Sequence, residues 1–275
     1  AALDLKFNKN MIFSSIKAFI SGSMGLIITA LVGAYILQYW FKDLNFLGGL
    51  FFATPLAILS SAIIIPSTHT FPEGKKSFLI YESTFSDVLG LLMFEILIGV
   101  FAHGNISSSK VIGELGLSII FSIGISIVLI YVFQKIKSTT KLFLLFAILM
   151  LLYSIGHALK LSALLIVLIF GLILNNYEAV FKGALSKFIN HESVNNIQDG
   201  FKIIIQESAF VVRTFFFIVF GYYVALEKIV NPEFIVPIIF ISLSLLAAIY
   251  LIRFLILLPT LRTSTWPEVF LAPRG

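Results

Sequence analysis

Stretches of eighteen or more predominantly apolar residues recur along the whole chain, separated only by short polar connections. A stretch of that length is what an α-helix needs to cross the hydrocarbon of a bilayer. Lipid offers no hydrogen bonds to an exposed peptide group, so such a chain must fold as helices that satisfy their own backbone. Of the 275 residues, 59% are apolar and 12% are charged. An ordinary water-soluble domain has roughly a quarter of its residues charged and could not cover this much hydrocarbon. The sequence therefore implies an all-α polytopic membrane protein, a single transmembrane domain over residues 1–275 with no separate soluble domain.

The spacing predicts crossings at about 13–40, 44–66, 77–101, 112–134, 140–157, 160–176, 203–227 and 233–258, which makes eight. Residues 140–176 as one helix would be roughly 55 Å long against a core of about 30 Å, and Gly156-His157-Ala158-Leu159-Lys160 is the natural place to turn back. Loops facing the cytoplasm collect Lys and Arg. With eight crossings, twelve cations between Lys6 and Arg262 fall on one side and four (Lys42, Lys110, Lys160, Lys228) on the other. A single crossing at 140–176 would shrink that bias towards parity. The N-terminus is thus expected on the cytoplasmic face, and residues 177–202, with Val180, Phe181, Ala184, Leu185 and Phe188 at helical spacing, are expected to form a cytoplasmic interfacial segment.

The chain opens on Ala1-Ala2 and stops at Ala272-Pro273-Arg274-Gly275, where a further apolar helix could begin. It reads as a fragment, with no signal peptide to subtract. Cysteine is absent, which excludes disulfides and thiolate metal sites. The net charge of +5 is spread too thinly for a nucleic-acid surface. His69, His103, His157 and His191 fall in turns or loops without metal-ligand spacing, and no phosphate loop or nucleophile elbow is present, so neither an enzyme nor a cofactor is implied.

The informative residues are the charges that topology does not explain: Arg213, Arg253 and Arg274, with Glu82, Asp87, Glu95 and Glu207. An ionisable group in hydrocarbon is costly unless it is paired or faces a water-filled cavity; either a structural ion pair or an ion pathway can account for each. Asp87 stands in Tyr81-Glu82-Ser83-Thr84-Phe85-Ser86-Asp87-Val88, with Ser83 one turn before it on the same face and Ser86 adjacent. Hydroxyl and carboxylate oxygens suit a hard monovalent cation such as sodium, and one carboxylate can bind either cation or proton. Pro55 lies near the middle of the preceding span, where it is expected to break the helix at Ala53-Thr54-Pro55 and leave the Thr54 hydroxyl available to an ion. A packing kink is the competing reading. Glu82, five residues from Asp87 and so about 140° around the helix, is expected to pair with Arg253, with Arg274 in reserve, while Glu207 is expected to balance Arg213 within one helix.

Together, the Ala-Thr-Pro helix, the Glu-Ser-x-x-polar-Asp helix, a late membrane arginine and the Pro-Arg-Gly ending resemble the sodium/proton exchanger branch of the monovalent cation/proton antiporter superfamily. The resemblance runs from Leu3 to Gly275. It implies inverted repeats crossing at broken helices, a homodimer, and a fragment lacking early helices and the last one. Asp87 would alternate between cation and proton, with Ser86, Ser83 and Thr54 as further ligands, and Glu82 would pair with a late-helix arginine. Thr54 stands where the branch usually has Asp, and Ser86 where it usually has Asn. A single central carboxylate implies electroneutral exchange, with a bacterial inner membrane as the setting. A potassium efflux system, with potassium/proton exchange or channel-like activity, and a non-transporting scaffold or sensor are the alternatives.

Overall fold

In the computed structural model the described residues are 12–103, 108–135, 141–159, 161–181, 189–224, 232–261, 266 and 268–274. Among them the helices are α1 (Ile12–Trp40), α2 (Phe46–Ala57), α3 (Ser61–Ser67), α4 (Glu73–His103), α5 (Ser108–Phe133), α6 (Lys141–Ala158), α7 (Ala163–Asn175), α8 (Tyr177–Val180), α9 (His191–Tyr223) and α10 (Pro232–Leu261). A 3₁₀ turn at Glu268–Phe270 leads into an extended C-terminal segment. By length and composition α1, α4, α5, α9 and α10 are each able to cross a membrane, and shorter apolar helices add to them. The chain is an integral membrane protein of all-α class.

Two compact units can be distinguished, one holding α1 to α4, α10 and the C-terminal segment, the other α5 to α9. In the first, α1 is the hub and packs on α2, α4 and α10. Without a hydrophobic drive between helices in lipid, close packing depends on small residues at the contacts. A Cβ on Gly22 would lie 2.8 Å from the Glu82 carbonyl oxygen, and one on Gly49 would lie 2.7 Å from that of Ala34. These two glycines let α4 and α2 come down onto the α1 backbone. At its start α2 is capped by Asn45, whose side chain accepts the Gly48 N–H at 2.7 Å, which satisfies one of the donors a helix N-terminus leaves over.

In the second unit α7 packs on α5 and α6. Helix α6 ends at Ala158 and α7 begins at Ala163, close to the position the length argument requires. A Cβ on Gly156 would meet the Ala163 Cα at 3.2 Å, so glycine is what allows the two helices to close there. Ser162 caps α7 by accepting the Leu165 N–H, and its own N–H is taken by the buried Ser118 hydroxyl of α5 at 2.9 Å.

Two expectations differ from what is found. Residues 177–181 form only the short α8, and α9 then begins at His191 and runs without interruption to Tyr223. No boundary falls at 202–203, because Asn190 provides an N-cap, accepting the Ser193 N–H at 3.0 Å, and no proline follows before Tyr223. Ala184, Leu185 and Phe188 lie outside the described residues. Glu207 and Arg213 are both exposed, and among the described residues they form no ion pair, since six residues separate them by more than a turn and a half.

Candidate functional site

The second apolar span is interrupted at Ile58–Ser60, one turn later than Ala53-Thr54-Pro55. A proline removes its own N–H and crowds the preceding turn, but the residues after it keep their donors, and α2 continues to Ala57. The helix stops where other groups claim its backbone. Ile58 turns extended (φ −71°, ψ 130°). The Leu59 N–H donates to the Ser86 hydroxyl oxygen at 3.0 Å, and the Ser60 N–H donates to the Pro273 carbonyl at 3.0 Å. Leu59 and Arg274 form an antiparallel bridge, and Arg274 Nη1 donates to the Ala57 carbonyl. An unpaired peptide group at this depth would cost about 1–3 kcal/mol; Ser86, Pro273 and Arg274 thus hold the gap open.

Asp87 faces this gap. It is half-buried on α4, and its Oδ2 accepts the hydroxyl of Ser61, the first residue of α3. Among the described residues no lysine or arginine forms an ion pair with Asp87. A carboxylate in such a place can be neutralised by a proton or by a bound cation.

Two further ion pairs lie in the same unit. Glu82 and Arg253 are 2% and 4% exposed and pair through Oε2 and Nη2 at 3.3 Å. Ser21 of α1 donates to the other Glu82 oxygen at 2.6 Å. Arg253 Nε donates to the Glu268 carbonyl at 3.2 Å, and the buried Glu268 carboxylate pairs with Lys75 at the start of α4. Burying a charge is tolerable when each member has a partner and further hydrogen bonds, as Glu82 and Arg253 do. Arg274, the reserve partner for Glu82, instead has a backbone carbonyl.

Several sequence-named residues occupy other roles. Thr54 is fully buried and its hydroxyl donates to the Leu50 carbonyl at 2.7 Å, so its proton is committed to its own helix. The reason is local: an i−4 carbonyl is within reach of any threonine in a helix. Ser86 accepts Leu59 and thereby braces the break. Ser83 donates to the Ile80 carbonyl at 3.1 Å, which leaves its oxygen lone pairs available as an acceptor. Ser61, Ser21 and Glu268 did not stand out in the sequence. The signal for Ser61 was the Ser60-Ser61 pair beyond Pro55, one turn further on than the proline itself suggests.

The family model for the transmembrane sodium/hydrogen exchanger matches residues 3–272, nearly the full length of the chain. No individual curated protein matches it. With helices of this kind and a carboxylate set against an interrupted span, the chain belongs to the sodium/hydrogen exchanger family, integral membrane transporters that exchange cations for protons.

Proposed function

We propose that this chain is an electroneutral sodium/proton antiporter in which Asp87 binds sodium and proton alternately. The observation that carries the reading is the contact between Asp87 and Ser61 at the gap between α2 and α3, on a carboxylate that no cationic side chain neutralises among the described residues. Sodium would take oxygens from Asp87, Ser61 and Ser83; Ser61, which contacts Asp87 directly, takes the place of Thr54. Since the Glu82 charge is held by Arg253, one carboxylate remains to exchange one cation for one proton, and no net charge moves.

Residues 1–275 act in this reading as one transporter domain of a bacterial inner membrane, with 177–202 at the cytoplasmic interface and the N-terminus on the cytoplasmic side, as the lysine and arginine distribution favours. The protein works as a homodimer. The test is flux in proteoliposomes loaded with a pH-sensitive dye, with sodium, lithium or potassium added outside. Sodium should move protons, clamping the membrane potential should not change the rate, and Asp87→Asn and Asp87→Ala should both be inactive. Full activity in either variant would refute the assignment.

A further inference from the structure

Beside the Glu82–Arg253 pair, on the side of the gap formed by α1 and α10, lies a small cavity lined among others by Ser21, Thr29, Leu59, Glu82, Arg253 and Arg274. It has about 10 Å³ of space for the centre of a water molecule, which is room for one water and no more. Two buried polar atoms without a hydrogen-bond partner belong to residues that line it: the Thr29 hydroxyl, on a residue 5% exposed, and Arg274 Nε. Buried polar atoms are nearly always satisfied, and two orphans on one polar cavity point to a shared partner.

The chemistry of the lining selects the occupant. Arg274 Nε–H is a donor only, while the Thr29 hydroxyl can donate or accept. An occupant that accepts from Arg274 and exchanges a hydrogen bond with Thr29 completes both. Water does this; a halide accepts equally well but is larger than the space.

We propose that this cavity is a built hydration site holding a single water between Thr29 and Arg274. The water makes Thr29 a positioning residue. Arg274 uses Nη1 to hold the Ala57 carbonyl at the end of α2, and fixing Nε from the other side sets the plane of the guanidinium. A residue on α1 thus steadies the interruption of the second span without touching it. The inference stands whether or not sodium is the cargo.

A structure of the full chain in lipid nanodiscs at about 2 Å should show one density peak within hydrogen-bond distance of both Thr29 Oγ1 and Arg274 Nε. Direct bonding of these atoms to protein groups, or a peak replaced by a heavier scatterer in bromide, would overturn the proposal. Hydrogen–deuterium exchange supplies a second readout. Thr29→Val should speed exchange of the 58–61 amides roughly five- to tenfold, the size expected for losing one ordinary hydrogen bond, and leave α9 unchanged. Thr29→Ser should restore the native rate. Equal exchange in native and Thr29→Val protein, or no rescue by serine, would remove the positioning role.

Discussion

Replacing Arg253 by methionine removes the guanidinium that faces Glu82 at 3.3 Å, together with the Nε hydrogen bond to the Glu268 carbonyl. Methionine fills much of the same volume, so the cavity contribution is small and the electrostatic one dominates. Glu82 is 2% exposed and would keep only the Ser21 hydroxyl. Breaking a buried pair by taking one partner away costs about 3–5 kcal/mol, because the other charge is left uncompensated. For a chain of this size that lowers the thermal midpoint by roughly 6–20 °C. Glu82→Gln alone leaves Arg253 with the Glu268 carbonyl and an amide oxygen, and should cost less. The double variant Glu82→Gln/Arg253→Met removes both members of the pair and leaves neither uncompensated, so most of the loss should be recovered. The assay is thermal unfolding of the four proteins in one detergent, read as a double-mutant cycle. If the double variant loses as much as the two single variants combined, the pair is not coupled and the reasoning fails.

Ser61→Ala removes the hydroxyl donated to Asp87 and should raise the apparent KM for the cation about tenfold, the effect of one hydrogen-bond-strength ligand, whereas Thr54→Val should leave it within about twofold; initial rates against cation concentration separate the two. Ser86→Ala strands the Leu59 N–H in the gap and should lower stability by about 1–3 kcal/mol, measured by the same thermal assay, with Ser86→Asn recovering part of the loss because its side-chain oxygen can accept that N–H.

Much of the architecture was legible because the bilayer imposes length. The 1.5 Å rise per residue made 140–176 too long for one helix, and α6 ends at Ala158 with α7 beginning at Ala163. Glu82 and Arg253 stood out for the same reason, as charges that no loop could explain, and they lie together in the buried core. The position of the gap was harder to read. Proline marks where a helix is weakened, but where it ends depends on what competes for the backbone, and those competitors, Ser86 and Pro273, are 27 or more residues distant in sequence. The role given to Thr54 followed from putting the break at Pro55, and the contact on Asp87 comes from Ser61 at the start of α3. The uninterrupted start of α9 at His191 was hidden by polarity: Asn195, Gln198 and Asp199 look like a surface segment, although Gln198 is buried and hydrogen-bonded to Asn175.

The competition of sodium and protons for one carboxyl group is tested most directly by the apparent sodium affinity as a function of pH. Below the pKa of that group, each unit fall in pH should raise the apparent Kd for sodium tenfold, measured by sodium-dependent exchange in proteoliposomes with equal pH on both sides. Maximal rates at saturating sodium should be far less sensitive to pH. A sodium affinity that does not change with pH, in a protein that still exchanges sodium for protons, would show that cation and proton occupy separate sites and would contradict the role given to Asp87.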